Sequence, residues 1–356
     1  MSSRPAARTL PETMRALVKE APGPGAAFRE VPLPVPGPGE VLVRVEAASV
    51  CGTDLHIERW DPWAQENFGP TPMVFGHEMA GTVVGRGPGA ERIPLGSLVA
   101  AETHLVDWDC YQCRTGRAHV CQHLRILGVH APGTFAEYAV IPERNAWVTE
   151  DLSPVVAALQ EPMGNAVHAI FVEEIAGLSV AVLGCGPIGL MAIAVARVAG
   201  ARRIFATDVN AERLELATRM GADAVLDARQ DVVAWLRQAT GGDGVDVVLE
   251  MSGAEAALHQ GLAAVTNGGR VSLLGTHTRP ATVDLSEEVI FKGIRLYGIT
   301  GRILFETWYR TTALLEEGLD LSPIITHRLP LSRYAEAFDL VAGGHAGKVV
   351  LLPQEG

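Results

Sequence analysis

Ser179-Val180-Ala181-Val182-Leu183-Gly184-Cys185-Gly186-Pro187-Ile188-Gly189 is the stretch from which the fold of this chain is read. The apolar run Val180 to Leu183 predicts a buried strand, and the apolar run from Ile188 to Ala199 predicts a helix. Between them stand Gly184, Gly186 and Gly189, a G-x-G-x-x-G set after a strand and opening a helix. The first glycine permits a tight turn, the second lets the backbone approach a pyrophosphate, and the third lets helix and strand pack closely. The helix N-terminus adds unpaired N–H groups and partial positive charge. Asp208 ends the next predicted strand, where a carboxylate grips both ribose hydroxyls and repels a 2′-phosphate. The expected cofactor is therefore NAD rather than NADP. Arg213 is placed to stack near the adenine, and pairing with Asp208 would soften that preference. Cys185 reads as a small, inert residue of the turn.

Working outward, strand-like runs alternate with helical ones. The predicted strands cover 180–183, 203–207, 224–226, 246–249, 270–274 and 294–299; the helices cover 188–199, 211–220, 232–240 and 255–265, with Gly200 and Gly221 at expected C-caps. Six strands with helices between them make an open, doubly wound parallel α/β sheet. From Met14 to about Pro142 the pattern is different. Short apolar runs such as Val41 to Val45, Gly81 to Val84 and Tyr138 to Ile141 alternate with Gly and Pro, which predicts a barrel-like β domain. After Gly301 short runs return, among them Lys348 to Leu352, and this segment is expected to rejoin the first domain. The expected division is a flexible tail 1–13, a catalytic β domain 14–163, a nucleotide-binding domain 164–302 and a return to the catalytic domain 303–356.

The chain has 356 residues and a formal net charge of −12. It shows no Lys/Arg run, so neither nucleic acid nor an anionic membrane is an expected partner. Met1 to Thr13 lacks the apolar centre of a secretory signal. Val180 to Gly200 is apolar enough to suggest a membrane span, but its glycines, Pro187 and Arg197 fit a strand, a turn and a helix better. There are five cysteines, three of them clustered. In a chain without a secretory signal this favours metal ligation over disulfides and a cytoplasmic location.

Cys51-Gly52-Thr53-Asp54-Leu55-His56, Gly76-His77-Glu78 and Glu161-Pro162 bring together one Cys, one His and carboxylates, a donor set that suits a catalytic zinc with an exchangeable position. In their order and spacing, with Gly81, Gly87 and the glycine fingerprint, these strings resemble the zinc-dependent medium-chain alcohol dehydrogenase family from Met14 onward. The resemblance implies a GroES-like β-barrel catalytic domain and a Rossmann cofactor domain. It implies a zinc held by Cys51, His77 and Glu78, with Glu161 as a fourth or exchanging ligand active in catalysis. Cys110, Cys113 and Cys121 resemble the family's structural zinc lobe, but Asp107 stands where its first cysteine is expected. Either Asp107 completes a second zinc site or the lobe has lost its metal; His104, His119 and His123 are close enough in sequence to substitute.

Five further strings narrow the resemblance: Cys51 to Trp63, Glu161 to His168, Phe291 to Gly293, Phe305 to Tyr309 and Gly318 to Arg328. They are similar to the branch of the family that dehydrogenates L-threonine at its 3-hydroxyl to 2-amino-3-oxobutanoate. This implies a small amino-alcohol substrate with His104 beside it, and a proton relay through Thr53 and His56. It also implies NAD contacts from Ile188, Leu274, Gly275, Thr276, Ile299 and Thr300, and a homo-oligomer, commonly a tetramer. Two rival readings are a polyol or vicinal-diol dehydrogenase with the same zinc and NAD, and a non-catalytic NAD-binding relative. The second would be expected to lack zinc ligands, which this chain has.

Overall fold

A computed structural model describes residues 10–277 and 279–355. Most of the expected tail therefore lies outside the described residues, and the first strand opens at Thr13. Among the described residues, six parallel strands lie in the order Ala224–Asp227, Arg203–Asp208, Ser179–Leu183, Val245–Glu250, Val265–Leu273, Arg295–Gly298. The order reverses beside Ser179–Leu183, which opens a crevice at the carboxyl ends of the strands, where such sheets bind ligands. Helices Pro187–Val198, Ala211–Arg219, Val232–Ala239 and Glu255–Ala264 connect them. Local chemistry sets their starts. Pro187 takes the first helical turn behind Gly186, and the Asn210 side chain accepts from the Glu212 and Arg213 N–H groups. No helix among the described residues is long and apolar enough to cross a membrane.

The second main sheet runs Ala146–Val148, Leu98–Ala101, Glu78–Arg86, Glu40–Ser49, Lys348–Leu352, Ile325–Pro330, with Tyr138–Pro142 also pairing Glu40–Ser49. Its register positions the candidate ligands Cys51 and Glu78. Ser49 lies opposite Glu78 on one side and opposite Val350 on the other. Continuing the second, antiparallel register sets Lys348 across from Cys51. Val43, Val45, Phe75, Phe135, Ile141 and Val349 fill the core of this part. A second apolar cluster joins the two sheets through helix Gln160–Phe171: its Met163 and Val167 pack in one group with Leu190, Ile193, Ala47, Ala80 and Val350.

Candidate functional site

Cys51 caps the N-terminus of helix Gly52–Arg59 at the end of one central strand, and Glu78, just after His77, opens the neighbouring strand. One ligand atom from each of Cys51, His77 and Glu78 lies within 4.8 Å of the others. Asp54 stands behind His77, its Oδ1 3.6 Å from Nδ1 and its Oδ2 accepting from the Cys51 N–H at 2.8 Å. That arrangement turns the other ring nitrogen of His77 toward the cluster. Burial alone would lower the His77 pKa, but the charges of Asp54, Cys51 and Glu161 drive it up to about 10. Burial pushes the Asp54 carboxyl up to about 6. A pocket that favours positive charge this strongly, with soft and hard donors converging, fits a divalent cation. Glu78 has a further partner in Lys348: both are almost fully buried and ion-paired, and Ser49 donates to the same carboxylate oxygen, Oε2.

Glu161 stands at the start of helix Gln160–Phe171, outside the three-residue cluster. Its Oε1 accepts from Arg302 at 2.7 Å and from the Thr103 hydroxyl at 3.2 Å. Arg302 is buried and also binds both oxygens of buried Glu102, to which Trp308 donates at 2.6 Å. Gly164 makes room for this: a Cβ there would meet the Arg302 side chain at 2.6 Å. His104 is buried in the same region, its backbone N–H donating to Glu102. Burial and the Arg302 charge lower its pKa to about 4, so it is neutral at pH 7. Thr53 Oγ1 is 3.8 Å from Cys51 Sγ. One helical turn on, His56 is paired through Nδ1 with Asp61 at the solvent edge.

The nucleotide end is built around the glycine turn. Gly184 has φ +101°, and a Cβ there would meet Ser252 at 2.8 Å; one at Gly189 would overlap the Gly184 carbonyl oxygen. At Gly186 an added Cβ would meet nothing within 4 Å, and no side chain caps the helix that starts there. This open, N–H-bearing surface fits a pyrophosphate. Asp208 is buried beside it, its Oδ2 accepting from the Cys185 N–H at 2.7 Å and its Oδ1 from the Asn210 N–H at 2.9 Å. Cys185 is fully buried and burial raises its thiol pKa, as an inert turn residue requires. Ile188 lies in the first turn of the helix and Arg213 in the first turn of the next. Leu274 and Gly275 donate backbone N–H bonds to the Glu250 carbonyl at 3.0 and 3.1 Å, with Thr276 following. Ile299 donates to the Leu273 carbonyl at 2.9 Å, and Thr300 follows it. All of them lie at the carboxyl ends of the strands.

In the lobe, one ligand atom from each of Asp107, Cys110, Cys113 and Cys121 lies within 4.8 Å of the others. The cysteines are free thiols, with Cys110 Sγ 3.7 Å from Cys121 Sγ. Burial and hydrogen bonding with Cys110, Cys121 and Asp107 push the Cys113 thiol up to about 12. Asp107 accepts from the Cys110 N–H at 3.0 Å and pairs with His123. His104, His119 and His123 are not in this cluster; the His119 ring packs on His168, 5.5 Å between centroids.

Sequence reasoning did not single out Glu102, Arg302 or Lys348, nor give Asp54 a part beside its neighbours. The available signal was charge in apolar surroundings, as with Lys348 heading Val349-Val350-Leu351-Leu352. Residues 37–151 match the alcohol dehydrogenase GroES-like domain, and residues 187–317 match the zinc-binding dehydrogenase family. An L-threonine 3-dehydrogenase of Bacillus velezensis is 50% identical over 344 residues, 96% of this chain and 99% of that protein. One of Pyrococcus horikoshii is 50% identical over 345 residues, with the same shares covered. Among solved structures, a zinc-binding dehydrogenase of Sinorhizobium meliloti 1021 bound to NADP superposes with a TM-score of 0.89 at 31% identity, covering 96% of this chain and 99% of that one. An alcohol dehydrogenase of Thermus sp. ATN1 gives 0.87 at 31%, covering 95% and 99%. The ligand clusters, the glycine turn and these full-length matches lead to one conclusion: the chain belongs to the zinc-binding alcohol dehydrogenase family.

Proposed function

We propose that this enzyme oxidises the 3-hydroxyl of L-threonine to 2-amino-3-oxobutanoate with zinc and NAD. The observation that carries the reading is 50% identity to L-threonine 3-dehydrogenases over nearly the whole chain. Cys51, His77 and Glu78 would hold the zinc, and Gly184, Gly186, Ile188, Gly189, Asp208, Arg213, Leu274 to Thr276, Ile299 and Thr300 the dinucleotide. When bound, zinc makes a hydroxyl more acidic and the nicotinamide accepts hydride. The protein's own residues do the rest. Thr53 Oγ1, beside Cys51, accepts the substrate's proton while releasing its own through the ribose hydroxyl to His56, which lies half-exposed one turn further on and passes a proton to solvent. Asp61 orients the His56 ring. Neutral His104 lines the substrate side, and Glu161, tied to Arg302, acts as an exchanging rather than a fixed ligand. The test is NADH formation across a panel of amino acids, alcohols and polyols. L-threonine is expected to give the highest kcat/KM; polyols reacting far faster at equal concentration would assign the chain to a diol-oxidising branch instead.

For the lobe we propose a second zinc on Asp107, Cys110, Cys113 and Cys121. A carboxylate oxygen reaches zinc at about 2.0–2.2 Å, shorter than a thiolate at about 2.3 Å, and should bind it less tightly than a fourth sulfur. Two zinc ions per chain are expected, falling toward one in Asp107→Ala while activity at low temperature persists. One zinc in protein purified without chelator, with three titratable thiols in the lobe, would refute the assignment. We also place the enzyme in the cytoplasm as a homo-oligomer, by resemblance a tetramer; the five free cysteines support a reducing compartment. The division into 14–163, 164–302 and 303–356 is supported by the pairing of Lys348–Leu352 with Glu40–Ser49.

A further inference from the structure

Lys348 is a buried ammonium at the head of an otherwise apolar strand. An ammonium is withdrawn from water at a large cost unless each donor finds a partner, so its partners define its purpose. They are the Val50 carbonyl at 3.2 Å and Glu78 Oε2. Ser49, fully buried, donates to that same oxygen. Among the described residues, both hydrogen bonds to the Glu78 side chain therefore arrive at Oε2, and none arrives at Oε1. The sheet enforces this, because Ser49 is opposite Glu78 on one side and Val350 on the other.

We propose that Lys348 is a positioning residue: with Ser49 it reserves Glu78 Oε2, so that Glu78 meets the metal through Oε1 alone. The inference rests on the reading of Cys51, His77 and Glu78 as metal ligands. Its chemical consequence is an open coordination position. A carboxylate freed to bind through both oxygens would fill the place that a catalytic zinc keeps for substrate. Within this strand the part falls to Lys348 alone, since Val349 and Val350 lie in the apolar core.

The test uses intact enzyme exchanged with cobalt(II). Wild type and Lys348→Met share the lobe, so its contribution cancels in their difference spectrum. In Lys348→Met the ligand-field bands should shift and weaken as the second Glu78 oxygen takes the exchangeable position and its narrow bite distorts the tetrahedron. The affinity for imidazole, which needs the open position, should fall by about tenfold or more, the scale found for partners of metal ligands. Lys348→Arg should restore part of both. A flat difference spectrum with unchanged imidazole affinity overturns the inference while leaving the metal reading intact. A wild-type cobalt spectrum that neither imidazole nor Cys51→Ser alters overturns both. Should Lys348→Met fail to fold, Ser49→Ala decides: a smaller change in the same direction supports the inference, and no change in either readout overturns it.

Discussion

Replacing Cys51 with Ser, or His77 with Ala, is expected to lower kcat/KM for L-threonine by ~10³-fold or more, about 4 kcal/mol of lost transition-state stabilisation, while the affinity for NADH is unchanged. The two residues belong to a candidate metal cluster at the ends of two central strands of the mixed sheet. The dinucleotide crevice is formed by the parallel sheet, whose glycine turn and Asp208 touch neither of them. Removing one metal donor therefore removes the acid that activates the hydroxyl and leaves the cofactor cradle standing. Zinc analysis and NADH titration by fluorescence check both halves. Loss of zinc and cofactor affinity together would show that the substitution unfolds the chain and would take away the assignment of roles.

Asp208→Ala is expected to reduce the preference for NAD over NADP, measured as the ratio of kcat/KM values, by about 10–100-fold, since placing like charges together at a binding surface costs several kcal/mol. The Asp208 carboxylate is buried and fixed by the Cys185 and Asn210 N–H groups, so it cannot swing away from a 2′-phosphate. Arg213, a few residues on, would then be free to pair with that phosphate. An unchanged ratio in the mutant would mean that selectivity is set elsewhere.

The parallel sheet was legible because its signals are local. A strand, three glycines at fixed spacing and an acidic residue at the next strand's end fall within residues 179–208, and the structure has all six strands and four connecting helices at the expected places, except that the fifth strand opens at Val265 rather than at Arg270. Helix Gln160–Phe171 carries no such signal: ten of its residues are buried, so no polar face marks its period, and Pro162 and Gly164 read as breakers. Gly164 is there for Arg302, a contact across 138 positions that no window of sequence displays. The same holds for the metal region. Cys51, His77 and Glu78 are visible because their types and order are distinctive, and Asp107 because it breaks a cysteine spacing. Arg302, Glu102 and Lys348 are single charges whose partners come from far along the chain, and only the folded sheets bring them together.

The strand Lys348–Leu352 has a consequence for how the molecule is made. Lys348 and its partner Val50 are 298 residues apart. Without this strand Ala48 and Ser49 would lack their partners Leu351 and Val350, and Glu78 its counter-charge. The candidate metal pocket thus closes only when segments from far apart in the chain have paired, and Cys51, His77 and Glu78 without that strand would lack the ammonium that steadies Glu78.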